Sequence, residues 1–583
     1  MTGLTGPIHA DEVRHAVAVA AGREAGSILL TGVRVVNVFS GEVTPGPVLL
    51  AGRLIAGIGD AVRGAAATEV MDLDGSLLAP GFIDGHVHLE SALVEPKEYA
   101  RAVVPRGVTG VVWDPHEWAN VVGEVAFEAA HAATAGLPLD VWLTASSCVA
   151  ASPWETSGAI LTVAAMQRLL AGEQVVGLAE LMNFPGVVAG GTEELEKAWL
   201  AESRGKAVDG HAPMLMGRAL QAYAAAGIGS DHECLTVAEA EEKLRLGFMI
   251  FIREGSSARN LADLLPLVTR ENRDRFTLVT DDRQPHDLIR EGGVDFAVRK
   301  AVRLGLDIPT AVRLATLNTA RYFGLRRKGA VAPGYWADLA VLDPETLAAR
   351  AVFKGGRLVA REGTLLVPTT GQTDPRLLDT VVLPDLKAAD LRLTASGGPV
   401  RAIGVVPDQI ITRGLTVEPK IVGGVAVADP DRDLAKLAVI ERHGKTGGIG
   451  LGLVQGLGLR RGALASTFAH DAHNIIAAGM DDADILSAVR AVARAGGGFA
   501  VVADGHVLRY LPLPVAGLMS GLPLQAVAAE LEGLEEAARS LGVKIPAPFM
   551  ALSFLALSVI PELKLTDQGL VDANSGRLVS FEV

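Results

Sequence analysis

Cysteine is nearly absent: only Cys148 and Cys234 occur among 583 residues. Two thiols cannot build a disulfide framework, nor a cysteine-rich zinc or iron–sulfur site. Basic charge is also in deficit. Lys and Arg number 53 against 67 Asp and Glu, a formal net charge of −14. A general nucleic-acid binder would carry a basic surface, so that class is disfavoured. Avid binding to an anionic membrane is disfavoured for the same reason. Long apolar runs are missing too. Mean hydropathy is +0.32, yet the most apolar late stretch, residues 549–560, is shorter than the ~20 residues of a membrane span and stops at Pro561. Alanine and glycine spread along the chain account for the positive score. The N-terminus has acidic residues and no apolar segment, so it does not read as a signal peptide. The expected location is the cytoplasm.

What is present fits a packed globular protein: 49% hydrophobic and 21% charged residues. At ~150 residues per domain, three to four domains are expected. Residues 1–26 form an N-terminal extension, with a short helix over 10–24 favoured by alanine and long side chains. Residues 27–78 alternate apolar and polar positions between glycine turns, the pattern of a small β module. From residue 79 to 328, apolar strand-like runs alternate with alanine-rich helical stretches. That rhythm indicates a parallel sheet with helices outside, and its length suits a (β/α)₈ barrel. A doubly wound open sheet is the competing topology. Residues 329–364 return to β character. The first β module is too small to bury a good core alone, so this segment is expected to complete it, as a β-sandwich with the barrel inserted. A linker rich in Pro, Thr and Asp follows. Residues 375–583 mix strands and helices as an α+β C-terminal domain.

The strongest local signal is LAPGFIDGHVHLES, residues 78–91. His86 and His88 stand two apart at the end of a short strand, hence on one face. In a parallel barrel that end is the active-site face, and two imidazoles there can hold a divalent metal. Further strand ends repeat the theme: Glu180 in GLAE, His211 in VDGHAP, His232 in GSDHE, and Asp281 and Asp282 in LVTDD. Each alone could be chance. The ordered set makes a coherent metal site.

With these residues the sequence resembles the amidohydrolase superfamily, and within it the adenine deaminase family. The superfamily pattern matches His86, His88, Glu180, His211, His232 and Asp281. The narrower resemblance rests on WDPHEWANVVG (113–123), TDDRQPHDL (280–288), GALASTFAHDAHNI (462–475) and LPLPVAGLMSG (511–521). It also includes the segment PFMALSFLALSVIPELKLTDQGLVD near the end, and so covers most of the chain. Related cyclic-amide hydrolases use a carboxylated lysine as the metal bridge. VVGLAELMN offers only Glu180, which can bridge two cations without modification. Lys206, the nearest lysine downstream, is expected at the surface.

The resemblance implies hydrolytic deamination of the free base adenine to hypoxanthine and ammonia, a purine-salvage reaction. A water activated between two divalent cations would attack C6. Manganese or iron is implied, with zinc also suited to the ligands. Asp281 is the candidate proton shuttle as well as a ligand, and Asp282 is its alternative. His116 and Glu117 are candidate catalytic residues that polarise the nucleophile or protonate the ring. The competing reading is a helix N-terminus with Glu117 in its first turn. Glu90 and Ser91 either support the ligands and touch substrate, or pack near the mouth. His470, Asp471 and His473, whose spacing alone resembles a metal-binding cluster, form a structural network, a loop closing the pocket, or a second catalytic centre. Arg442 and His443 are ambiguous. The family often has a second histidine next, where Gly444 stands here. A homodimer or higher homo-oligomer is expected, with adenine the only other partner. Two alternatives remain: an amidohydrolase acting on another aminopurine or a cyclic amide, and a non-catalytic binding or assembly protein.

Overall fold

Eight short parallel strands ring the centre of the molecule. The computed structural model describes residues 6–256, 258–407 and 409–583. Residues 1–5, which begin the expected N-terminal extension, lie outside the described residues. The barrel strands are β1 (Phe82–His88), β2 (Val108–Trp113), β3 (Asp140–Ala145), β4 (Val175–Leu181) and β5 (Ala207–Gly210), followed by β6 (Ser230–Asp231), β7 (Met249–Arg253) and β8 (Phe276–Val279). Strands β1 to β5 pair in sequence, as do β6 to β8. Beyond β8, Asp281 and Asp282 pair with Val87 and His88 of β1 and close that side of the ring. Strands such as VTGVVW and MIFIR are buried on both faces. This is why they read as apolar runs rather than as alternating ones.

The barrel interior is filled by Ile83, Val112, Met249, Phe251 and Val279, packed on Phe323 and Leu325. The polar site occupies the opposite, C-terminal end. Ile83 and His86 could not both point inward in an uninterrupted strand, where facing alternates. The β1–β2 register shifts between Asp84 and Val87. Such a shift changes the parity, so that the two histidines turn in beyond the apolar plug.

The chain enters and leaves the barrel through one sheet. Leu77–Pro80 pairs antiparallel with Leu339–Leu342 in a seven-stranded sheet. A four-stranded sheet of Leu54–Ile58, Val48–Ala51, Gly26–Thr31 and Ala67–Asp72 faces it. Leu30, Val48 and Leu78 share one core with Leu339 and Phe353. Beneath it, Lys328 and Lys354 both reach Asp140 Oδ2 at 2.6 Å and also meet Asp338. Asp140 begins β3, so this charge cluster joins the β module to the end of the barrel away from the site.

The C-terminal region builds an eight-stranded mixed sheet. Helix Asp482–Arg494 covers one face, burying Ile485, Ala488, Val489 and Val492. The loop between strands Ala463–Ser466 and Ile475–Gly479 carries His470, Asp471 and His473 to the barrel mouth. The helical expectation at 10–24 is met by Ala10–Ala20. Residues 549–560 hold all but the first residue of the seven-residue helix Pro548–Phe554 and the turns that follow it. Among the described residues, no helix is long and apolar enough to cross a membrane.

Candidate metal centre and active site

The Glu180 carboxylate, at the end of β4, is shared between two groups of histidines. Its Oε1 lies 3.3 Å from His88 Nε2. Its Oε2 lies 2.7 Å from His211 Nδ1 and 3.2 Å from His232 Nε2. Asp281 Oδ1 stands 3.2 Å from both His86 Nε2 and His88 Nε2. His86 stacks on His232 with ring centres 4.2 Å apart. All six residues are buried: His86 and His88 lie in β1 and Glu180 in β4, while His211 and His232 directly follow β5 and β6 and Asp281 comes just after β8.

These residues fit a pair of divalent cations. His86 Nε2 and His211 Nε2 are buried without any hydrogen-bond partner. Buried polar atoms are ordinarily paired, so His86 Nε2, lone yet 3.2 Å from Asp281 Oδ1, suits a ligand; His211 turns Nδ1 rather than Nε2 toward Glu180. Donor groups among these residues include His86–His88–Asp281, His86–Glu180–His232 and His211–His232–Glu233. Neutral imidazoles and carboxylates together suit zinc, iron and manganese.

Outer partners orient these candidate ligands, as metal-binding histidines would require. His88 Nδ1 donates to the Asp114 carbonyl at 3.1 Å. The Tyr223 hydroxyl accepts from His211 N–H at 3.1 Å and donates to the Leu181 carbonyl at 2.8 Å. Asp84 accepts from Thr280 N–H and its hydroxyl, at 3.1 and 2.6 Å. Burial works against the Asp281 carboxylate, but the Arg253 guanidinium and the two β1 histidines outweigh it and hold its pKa well below the usual range. For Glu180, burial is likewise outweighed by His211, His232 and His88, and its pKa is held well below the usual range.

Two segments of this chain match family descriptions: residues 77–360 the amidohydrolase family, and residues 409–577 the adenine deaminase C-terminal domain. Adenine deaminase 2 of Carboxydothermus hydrogenoformans is 46% identical over 97% of this chain and 99% of its own length. The adenine deaminase of Desulfatibacillum aliphaticivorans is also 46% identical, over 97% of this chain and 99% of its own. The chain belongs to the adenine deaminase family.

Within this member of the family, the remaining candidates have clear positions. Asp282 points away from Asp281 and accepts from Ser91 Oγ. Glu90 is occupied by the Trp113 indole at 2.8 Å and Trp118 N–H at 3.3 Å. Burial, with Glu117 nearby, pushes the Glu90 pKa up to about 8. Glu90 and Ser91 therefore buttress the wall, while the cavity itself is lined by His116, Glu117, His470, Asp471 and Asp282 with the ligands. His116 begins helix His116–Val122, and Glu117 lies in its first turn. The pair thus starts a helix and also lines the cavity. The cavity adjoins a hollow of about 650 Å³ that shares Arg253, Ala258, Ile410 and Phe554 with it.

Arg442 and His443 brace the loop above. Arg442 donates to the carbonyls of His473 and Ala516. His443 Nε2 donates to the Ala472 carbonyl at 2.7 Å. Gly444 has φ +69°, and a Cβ there would stand 3.2 Å from Val382 Cγ1. A side chain at this position is disfavoured by backbone and neighbour together. Lys206, expected at the surface, is half-buried, with its amine on the Gly172 carbonyl at 2.8 Å.

Three site residues were not anticipated: Arg253, Glu233 and Asp114. Arg253 ends β7, clasps Glu233 with both amino groups and reaches Asp281 Oδ2 at 2.6 Å. Asp114 follows β2 and accepts from Ser146 at 2.6 Å. The available signal was the same one that found the ligands, a charged residue ending an apolar strand.

Proposed function

We propose that this chain hydrolyses free adenine to hypoxanthine and ammonia. The observation that carries the reading is Glu180. It stands between two histidine groups where related cyclic-amide hydrolases need a modified lysine, in a chain matching adenine deaminases over nearly its whole length. In the reaction a C6–O bond forms from water, and the C6–N bond to the amine breaks.

We assign the metal ligands to His86, His88, Glu180, His211, His232 and Asp281. When bound, two cations there supply Lewis acidity that lowers the proton affinity of water. Manganese and iron are the assigned metals. The Asp281 Oδ1 atom takes a proton from the attacking water and returns one to N1 or to the departing amine. Arg253 occupies Oδ2, which leaves Oδ1 as the acting oxygen. General acid–base transfer of this kind contributes roughly 10²–10⁴-fold in rate. Ile410, Phe554 and Leu557 give the cavity an apolar wall. This reading assigns the enzyme to the cytoplasm, as a homodimer or higher homo-oligomer that light scattering would detect.

The test is incubation of the metal-loaded chain with adenine, following ammonia and hypoxanthine. Adenosine, guanine and cytosine serve as controls. Turnover of adenine above the other three is expected. Silence on adenine with turnover of another ring would reassign the substrate.

A further inference from the structure

A second cluster of metal-type groups lies beside the first and adjoins it through His116, whose Nδ1 stands 3.4 Å from Glu180 Oε1. His116 and Glu117 follow β2 of the barrel. His470 and Asp471 belong to the C-terminal loop. Glu117 Oε1 lies 3.2 Å from His116 Nε2 and 3.1 Å from His470 Nδ1. Asp471 Oδ1 lies 3.8 and 3.6 Å from the same two nitrogens. All four side chains are more than nine-tenths buried.

At the two Glu117 distances hydrogen bonds would be expected, yet they are not made, while the Asp471 oxygen stands just beyond hydrogen-bond reach. His116 Nε2 and Glu117 Oε1 are buried with no hydrogen-bond partner, and on Asp471 the unpartnered atom is Oδ2, beside the Oδ1 that faces the two nitrogens. The groups are close, but their lone pairs do not point along the lines that join them. Donors around one ion behave this way. With bonds of about 2.0–2.2 Å, two donors on one cation stand roughly 3–4 Å apart.

The outer contacts orient this set as they do the first one. His116 Nδ1 donates to Asp114 Oδ2 at 3.1 Å, which leaves Nε2 as the free lone pair. His473 Nδ1 accepts from Ala469 N–H at 3.2 Å, so its Nε2 carries the proton and holds Glu117 Oε2. That leaves Glu117 Oε1 for the cluster. Two neutral imidazoles and two carboxylates balance the charge of one divalent ion.

We infer that a third divalent cation binds between His116, Glu117, His470 and Asp471 and fastens the C-terminal domain over the barrel mouth. The donor set selects zinc, ferrous iron or manganese over calcium and magnesium. In this arrangement His116 and Glu117 serve as ligands rather than proton donors. The Nε2–H of His470 remains for whatever occupies the cavity that the ring lines.

The inference does not depend on the substrate, so its test counts metal. The full chain is stripped with a chelator and dialysed to equilibrium against zinc or manganese, and the bound metal is measured by plasma mass spectrometry. Three ions per chain are expected in the wild type, and two in His470→Gln and in Asp471→Asn. A crystal grown with zinc should show an anomalous peak between His116 Nε2 and His470 Nδ1. Two ions per chain in the wild type would overturn the inference whatever the variants do. Three ions in both variants would also overturn it, by placing the third ion elsewhere.

Discussion

Arg253 donates to the Oδ2 atom of Asp281 at 2.6 Å, on the oxygen opposite the one that faces His86 and His88. The same guanidinium clasps Glu233. One cation thus pairs with two buried carboxylates and sets the orientation of Asp281, the one beside His86 and His88. Removing it leaves both uncompensated. We expect Arg253→Met to lose about 3–5 kcal/mol of stability, the usual cost of breaking a buried pair from one side. Arg253→Lys keeps the charge but cannot grip two carboxylates in one plane. It should hold most of the stability while kcat falls more than KM changes. Chemical denaturation and steady-state kinetics check both variants. A wild-type melting curve for Arg253→Met would count against this role.

The neighbouring aspartates should separate sharply. Asp281→Asn keeps the shape and removes the proton acceptor, so kcat should fall roughly 10²–10⁴-fold. Asp282 is engaged by Ser91, and its conversion to Asn should cost far less. Ammonia release from adenine by the two variants, each loaded with metal, decides between them. Equal losses would mean that Asp282 also reaches the reacting atoms.

Glu180→Gln should lose metal as well as activity. One amide cannot offer two anionic oxygens to two histidine groups. The expected count falls by at least one ion per chain, and deamination becomes undetectable. Treating the wild type with a chelator should reproduce the loss, and added manganese should restore it in the wild type alone. Full metal content in Glu180→Gln would show that the bridge lies elsewhere.

The parts of this site that could be read from sequence share one property. His86, His88, Glu180, His211, His232 and Asp281 each end a strand, and a parallel barrel gathers strand ends in one place. The barrel and the split β module were legible for a similar reason, because strand and helix periods differ and the second β segment supplied the missing core. Arg253 ends a strand as well, but a lone arginine there has no ligand chemistry to mark it. The loop bearing His470 and Asp471 was harder. Its approach to His116 and Glu117 crosses more than 350 residues and depends on how two domains dock, which no local pattern records. The inward turn of His86 and His88 beyond Ile83 rests on a register shift, and strict alternation cannot express that.

A further prediction concerns a lysine far from the ligands in sequence. The Lys564 side chain is fully buried and donates to the carbonyls of Ile410 and Phe554, both at 2.9 Å. Burial lowers its pKa from 10.5 to about 7. Below about pH 7 the folded state must hold the buried charge, and the penalty is full. Between about 7 and 10.5 the folded chain has released this proton while the unfolded chain keeps it. The unfolded state then binds more protons, so stability rises with pH. The slope from this one group is at most about 1.4 kcal/mol per pH unit. Lys564→Met loses two hydrogen bonds at every pH but carries no titrating group. Its stability relative to the wild type should therefore be most favourable near pH 6 and decline steadily toward pH 9.5. Denaturant unfolding at a series of pH values measures the difference. A difference that does not change with pH would mean that the amine keeps its proton in the folded protein.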